Sequence, residues 1–202
     1  MLICVTNRKM CQDDFLKRLD QIAQGKPRAI LLREKDLSLT EYKRLAESVR
    51  DICLKHKVPL IINKYKEAAV ELKCDTLHLA MPDLRKYRNG LKQFSRVGAS
   101  VHSVSEAEEA QRLGAAYLIA GHIFPTESKK GVPPRGLSFL RDVCAAVEIP
   151  VYAIGGITED KVRDVLGAGA RGVCVMSEAM TCPHPAELAG RFKAGYGGCS
   201  FK

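Results

Sequence analysis

The sequence predicts a single-domain (β/α)8 barrel, the TIM-barrel fold, spanning residues 1–202. Short apolar runs alternate with amphipathic, helix-like segments along the whole chain. This alternation is typical of parallel βαβ units, whose strands are covered on both faces and are therefore apolar along most of their length. About eight such units in roughly 200 residues fit a small closed barrel with one buried core.

The eight predicted strands are LICVTN, AILLR, PLIIN, TLHLA, RVGASVH, AYLIAGH, PVYAIGG and GVCVMS. A doubly wound open sheet is the alternative, but its G-x-G-x-x-G sequence is absent from VTNRKM after the first strand. Between the fifth and sixth strands a helix is predicted over residues 104–113, with Ser105 and Glu108 as a capping pair. Gly114 and Gly167 are predicted to end helices.

Composition restricts the classes of function. The net charge of +9 comes from basic residues mixed with acidic ones, which is typical of solvated helix faces rather than of a nucleic-acid surface. No apolar run approaches the length of a membrane span, and the start lacks a signal-peptide pattern, so we expect a cytoplasmic protein. The eight cysteines form no C-x-x-C pair and are expected to be mostly buried thiols. The sequence leaves a homo-oligomer open.

Functional residues of a barrel collect at the carboxyl ends of its strands. Each predicted strand here ends in a polar residue, a glycine or a polar turn, and the set is Asn7, Arg33, Asn63, the turn 80–83, Ser100, His102, His122, Gly155, Gly156 and Ser177. Strand alternation places Gly98, Ser100 and His102 on one face of the fifth strand. In the sixth strand the same rule groups Leu118, Ala120 and His122, and we expect both rows to face the barrel interior.

The loops after strands seven and eight predict a phosphate site. This is the usual place for phosphate in the fold, and glycines let backbone N–H groups approach an anion closely. We expect Gly155, Gly156, Met176 and Ser177 to hold the phosphate. The alternative is that the two glycines serve only a tight turn.

A second group of charged residues follows strand two. Alternation places Arg33 and Lys35 on one side of the strand and Glu34 on the other. Arginine binds a carboxylate or phosphate through two hydrogen bonds, and lysine acts as a point charge. We expect both cations to contact the substrate, the alternative being a structural ion pair with Glu34.

A long loop follows strand six and carries Lys129, Lys130 and Arg135, punctuated by glycine and proline. It is suited to closing over a ligand. His122 precedes the loop at the strand end, where a histidine can move protons near neutral pH, although a structural role is the alternative. His78 lies earlier in strand four and is expected to fill the barrel.

Taken in order, the segments LREK, LIIN, HLAMPDL, GASVHSVSEAEEA, GHIFPTESKKG, PVYAIGGIT and GVCVMSEAM resemble the thiamine phosphate synthase and TenI superfamily. The resemblance spans nearly the whole chain and implies a TIM barrel that binds a thiazole phosphate. Synthases of this superfamily join a thiazole phosphate to a pyrimidine diphosphate with Mg²⁺. TenI-type members are thiazole tautomerases.

At two places the sequence differs from the synthases, and both differences favour the tautomerases. An aspartate that holds Mg²⁺ in the synthases follows the asparagine of strand three, and here Lys64 follows Asn63. Asp83 is kept, but the Gly-Gln pair before it is replaced by Ala80-Met81. The synthases also have Gly-Pro where this chain has Gly121-His122, and the tautomerases carry histidine there.

The resemblance therefore implies a metal-independent thiazole tautomerase, an isomerase without cofactor or metal. His122 would transfer the proton while Arg33 and Lys35 neutralise charge on a carboxythiazole phosphate. The other substrate-binding residues would be Asn63, Ser100, His102 and Lys129. The first alternative is the synthase itself, with Lys64 as the objection, and the second is a non-catalytic ligand-binding regulator. The expected partner is a small phosphorylated thiazole, not nucleic acid or a membrane.

Overall fold

The computed structural model describes residues 1–194. Their eight strands form a closed barrel in the order β1 to β8, and each strand runs parallel to its neighbours, including β8 to β1. The predicted fold class is confirmed, and the open sheet is excluded. The sequence GYGGCSFK at positions 195–202 is typical of a flexible tail, and this segment, with Cys199, lies outside the described residues.

All eight predicted strands are present, most of them one or two residues shorter than the apolar runs. The strands are β1 Leu2–Val5, β2 Ala29–Leu32, β3 Leu60–Asn63, β4 Thr76–Ala80, β5 Arg96–Val101, β6 Tyr117–Gly121, β7 Val151–Ile154 and β8 Gly172–Val175. The helices of the described part are α1 Phe15–Gln24, α2 Leu39–His56, α3 Lys66–Glu71, α4 Met81–Tyr87, α5 Val104–Arg112, α6 Gly136–Ala146, α7 Val162–Gly167, α8 Ser177–Thr181 and α9 Leu188–Ala194. None of them is long and apolar enough to cross a membrane.

The apolar residues form two layers. One lies inside the barrel and contains Tyr117 and Ile119 of β6, and the other lies between the barrel and the helices and contains Leu118 and Ala120. The prediction that Leu118, Ala120 and His122 form an inward row is therefore wrong. A strand covered on both faces is apolar on both, so its sequence does not reveal which face points inward.

Strand β5 follows its prediction at Gly98 and Ser100, whereas His102 lies one residue beyond the strand. A side chain on Gly98 would lie 2.1 Å from the ring of Tyr117, so this glycine faces the interior and gives the tyrosine ring its space. Two positions further, the Ser100 hydroxyl contacts the buried His78 ring. Ser100 therefore also lies on the inward face, directly below the mouth of the barrel.

Two helix boundaries differ from prediction. Helix α5 is capped by Ser103, whose hydroxyl accepts from the Glu106 amide, and not by Ser105. The sequence SVSEAE contains the Ser-x-x-Glu pattern in two registers, and the pattern alone does not choose between them. Gly114 has a φ of 88° after α5, as a terminating glycine requires. Gly167 is instead the last residue of α7, and Gly169 adopts the positive φ.

Of the cysteines in residues 1–194, all seven are free thiols and Cys4, Cys53, Cys174 and Cys182 are buried. Burial raises the pKa of Cys53 to about 12, so this thiol stays protonated and unreactive near neutral pH. The other three described cysteines are partly exposed.

Gly98→Ala should destabilise the barrel, because its Cβ would lie 2.1 Å from the Tyr117 ring. Overpacking of this kind costs about 1–3 kcal/mol. The matched control is Gly190→Ala in α9, where nothing lies within 4 Å of the added carbon. Urea unfolding should place Gly98→Ala well below the wild type and Gly190→Ala at or above it; equal stabilities of the two variants would contradict the inward position of Gly98.

Candidate active site

The carboxyl end of β2 brings Arg33 over the barrel. Its amide donates to the Thr6 hydroxyl at 2.9 Å, which fixes the backbone beside β1. Its guanidinium reaches across the mouth to within 3.9 Å of the Met176 sulfur, after β8. Burial lowers the pKa of Arg33, although Glu34 opposes this change. The side chain is thus a partly desolvated cation facing the mouth.

Glu34 points the other way, as alternation predicts, and is only 2% exposed. Its carboxylate accepts from the Thr6 hydroxyl at 2.6 Å and from the Arg8 amide at 3.1 Å. The Arg8 guanidinium lies 3.3 Å from Glu34 and 2.7 Å from Asp36. The alternative of an Arg33–Glu34 ion pair is therefore wrong: the basic partner of Glu34 is Arg8.

Four cations share the mouth. The pKa of Lys35 is lowered chiefly by the charge of Arg33, then by partial burial and by the charges of Lys129 and Lys64. Within residues 1–194 none of the four forms an ion pair with a carboxylate. The loops after β2, β3 and β6 thus bring together positive charge without its own counter-ion.

A polar network lies directly beneath these cations. His78 is 2% exposed, and its ring contacts the Tyr117 hydroxyl at 3.2 Å and the Ser100 hydroxyl at 2.9 Å. Burial, aided by the charge of Arg33, lowers the pKa of His78 to about 3. His78 is therefore neutral and fills the barrel, as the sequence predicts.

Asn63 ends β3 beside this network. Its amide side chain donates to the His78 carbonyl at 3.1 Å, and its backbone N–H donates to the Tyr42 hydroxyl at 3.1 Å. The side chain is thereby held at the rim with its carbonyl oxygen still available to a ligand. The same turn places Lys64 next, with its amide 3.0 Å from the His78 carbonyl.

The two histidines predicted at the mouth differ in exposure. His102 is exposed, and its ring contacts the Gly121 carbonyl at 2.7 Å. His122 is 9% exposed and its Nε2 lies 3.3 Å from the Val132 carbonyl, inside the loop after β6. The Gly121–His122 peptide bond is cis. The contact to Val132 ties His122 to its own loop, which also carries Lys129.

Gly155 and Gly156 follow β7 with φ values of 104° and 63°, in the region that favours glycine. A side chain on Gly155 would lie 2.2 Å from the His122 Cβ, and one on Gly156 would lie 2.2 Å from the Pro125 carbonyl oxygen. Packing against the β6 loop therefore accounts for both glycines without any ligand. Their N–H groups donate to no backbone acceptor within residues 1–194, so they are available to an anion.

Met176 follows β8 directly, Ser177 is the first residue of the short helix α8, and both are partly exposed. Behind them the Arg191 guanidinium of α9 pairs with Glu178 of α8 and with Glu159 after β7. This shared arginine holds the β7 and β8 loops against each other. The four predicted phosphate residues thus stand on two adjoining loops, and their phosphate role stays a prediction.

The residues of the mouth are a poor fit for a Mg²⁺ ion. Magnesium at phosphate sites is usually held by one or two carboxylates together with substrate phosphates and water. Of the two aspartates that hold Mg²⁺ in the synthases, this chain keeps Asp83, in the first turn of α4, and has Lys64 at the other position. The carboxylate of Glu34 is already hydrogen-bonded to Thr6 and paired with Arg8. Within residues 1–194 no group of three or more His, Cys, Asp or Glu side chains could hold a metal.

The fold and the mouth define an α/β barrel with a cluster of cations at the carboxyl ends of its strands, and comparison with known proteins gives the family. The model of the thiamine monophosphate synthase (TMP-TENI) family matches residues 2–179. The chain therefore belongs to this family. Its relatives place it among proteins of thiamine biosynthesis.

A thiamine-phosphate synthase of Fusobacterium nucleatum is 35% identical over 176 residues, which cover 86% of this chain and 85% of that protein. The bifunctional thiamine biosynthesis protein ThiED of Geobacter sulfurreducens is also 35% identical, but this chain spans only 36% of its length. Among solved structures, a thiamine phosphate pyrophosphorylase from Pyrococcus furiosus has a TM-score of 0.85 and 28% identity, with 96% of this chain and 94% of that chain covered.

These comparisons correct the expected class of enzyme. The relatives are named thiamine-phosphate synthases, which are transferases, so the expectation of an isomerase is wrong. The expectation of an isomerase depended largely on His122 at the end of β6, and the proton-transfer role of this histidine stays a prediction. In the structure its ring contacts the Val132 carbonyl of its own loop.

The neutral His78 predicts a pH dependence of stability. Its pKa is about 3 in the fold and about 6.5 in the unfolded chain, so the unfolded chain binds the extra proton between these values. The contribution of neutral His78 to the free energy of unfolding is fully present above about pH 6.5. It is lost as the pH falls towards 3, by up to about 1.4 kcal/mol per pH unit. Urea unfolding at intervals of about one pH unit between pH 4 and 7 measures how steeply the free energy of unfolding changes with pH.

His78→Gln keeps polar atoms for Ser100 and Tyr117 and should flatten this slope. The control is His184→Gln at an exposed histidine, which should keep the wild-type slope. The same slope in wild type and His78→Gln would contradict the buried, neutral state of His78.

Proposed function

We propose that the chain is a thiamine-phosphate synthase, a transferase that joins a thiazole phosphate to a pyrimidine diphosphate and releases pyrophosphate. The observation that carries the proposal is the presence of two anion-binding groups at one barrel mouth. One is the cation group Arg33, Lys35, Lys64 and Lys129. The other is the pair of loops bearing Gly155, Gly156, Met176 and Ser177.

Two separate groups match two phosphorylated substrates. The cations carry the larger positive charge and suit the diphosphate, while the neutral loop amides suit the single phosphate of the thiazole. Arg33 connects the two, because its guanidinium approaches Met176 of the second group. A diphosphate and a phosphate bound in this way place the two rings between β2 and β8, over the His78 network.

The proposed reaction requires little proton transfer by the side chains of the protein. The thiazole ring nitrogen has an in-plane lone pair and forms the new carbon–nitrogen bond. The bond from the pyrimidine's carbon to the diphosphate breaks at the same carbon, and pyrophosphate leaves with the bonding electrons. Negative charge grows on the leaving group, and Arg33, Lys35 and Lys129 stabilise it electrostatically.

The remaining mouth residues position the rings. Asn63 offers its side-chain carbonyl oxygen at the rim, since its amide donates to the His78 carbonyl. Ser100 stands on β5 and His102 follows directly after that strand, where its ring is held by the Gly121 carbonyl. His122 contacts Val132 and thereby braces the loop that carries Lys129. In this proposal His122 is a positioning residue.

The direct test is to mix the purified protein with both substrates and to measure the joined product by mass spectrometry and pyrophosphate by a coupled assay. The proposal predicts one pyrophosphate for each joined molecule, and neither product when one substrate is omitted. Binding of both substrates without any joined product, with and without Mg²⁺, would contradict it and favour the ligand-binding regulator.

Two variants separate the two anion groups kinetically. Arg33→Gln removes a partly buried cation and should lower kcat/KM for the pyrimidine diphosphate by about 10- to 100-fold. Ser177→Ala removes one hydroxyl and should raise KM for the thiazole phosphate by about fivefold, with kcat nearly unchanged. Arg44→Gln, an exposed position in α2, is the control. Equal effects of Arg33→Gln and Arg44→Gln would exclude Arg33 from the diphosphate group.

A further inference from the structure

Lys64 has a fixed place at the rim. It follows β3 directly, with a left-handed φ of 68°, and its amide donates to the His78 carbonyl at 3.0 Å. The side chain is exposed, and its ammonium lies 4.8 Å from the centre of the Tyr65 ring. Tyr65 is itself hydrogen-bonded to the Leu37 carbonyl after β2, so the aromatic support of Lys64 is anchored to the neighbouring loop.

The charge of Lys64 acts on Lys35. It lies close enough to oppose protonation of Lys35, together with Arg33 and Lys129. None of these four has a carboxylate partner within residues 1–194. Mutual repulsion among unpaired cations is relieved by a bound anion, and most strongly by a multiply charged one.

The two carboxylates after β2 are already engaged, which leaves Asp83 of α4 as the remaining candidate ligand for a divalent cation. Glu34 is buried and bonded to Thr6 and Arg8. Asp36 is paired with Arg8 and Lys9. With Lys64 in the position after Asn63, the rim has an ammonium where the metal-dependent arrangement needs an oxygen ligand.

We propose that Lys64 binds the diphosphate directly and supplies the positive charge that a divalent cation otherwise brings, so that diphosphate binds at this mouth without metal. The inference rests on the proposed function for the identity of the natural ligand, and on the geometry of the rim for the rest. Lys64 is thereby a substrate-binding residue specific to the diphosphate half of the reaction.

The test is calorimetric titration of the whole protein with inorganic pyrophosphate, first in a metal chelator and then with excess Mg²⁺. The wild type should bind in chelator, with no tighter binding in Mg²⁺. Lys64→Gln should weaken binding in chelator by about 10-fold, and Lys64→Arg should retain it. The matched control is Lys92→Gln, an exposed lysine before β5 at the opposite end of the barrel, which should leave binding unchanged.

Lys64→Asp introduces the aspartate that the metal-dependent synthases carry at this position, and it therefore contrasts most sharply with the wild type. Aspartate tolerates a left-handed backbone, and circular dichroism checks that the variant folds. Its binding of pyrophosphate should be lost in chelator and recovered with Mg²⁺. A wild type that binds pyrophosphate only with Mg²⁺, or a Lys64→Gln variant that binds as the wild type does, would overturn the inference.

Failure of this inference is distinguishable from failure of the proposed function. Metal-free pyrophosphate binding through Lys64, with no joined product from the two substrates, leaves the inference standing and removes the transferase. Formation of the joined product only in the presence of Mg²⁺ supports the transferase and overturns the inference about Lys64.

Discussion

The positive mouth of this barrel depends on how the buried carboxylate of Glu34 is satisfied. Thr6 and Arg8 supply its hydrogen bonds, and Arg8 is also tied to Asp36. Because Glu34 is engaged on the outer side of β2, Arg33 on the inner side has no carboxylate partner among residues 1–194. A charge left unpaired and partly buried is costly unless a ligand neutralises it, and in the proposed function this makes the end of β2 an anion-binding group.

The other loops of the mouth are arranged around that group by close packing. The β6 loop packs closely against the end of β7 because Gly155 and Gly156 carry no side chain that would keep it away. Arg191 in turn ties the β7 and β8 loops together through Glu159 and Glu178. The β7 and β8 loops therefore lie beside the β6 loop that carries Lys129, and Arg33 reaches Met176 after β8. In the proposed function the cations and the loop amides thus act together at one mouth.

The sequence predicts the fold well because each strand carries its own signal. Its failures have physical causes: β6 is apolar on both faces, so the inward row is Tyr117 and Ile119 rather than Leu118 and Ala120. Arg8 lies 26 positions from Glu34 along the chain, and no local pattern predicts that they pair. His122 has the position of a catalytic residue, and only its contact with Val132 and the comparison with relatives favour another role. The positions of the site residues were predictable, but their partners were not.

In the proposed function one mouth holds two phosphorylated molecules at once. Phosphorus NMR of the protein saturated with pyrophosphate and then titrated with the thiazole phosphate measures this property. Both ligands should stay bound together, with the affinity for the thiazole phosphate kept or improved. Displacement of pyrophosphate by the thiazole phosphate at matched concentrations would mean a single anion group and would contradict the claim.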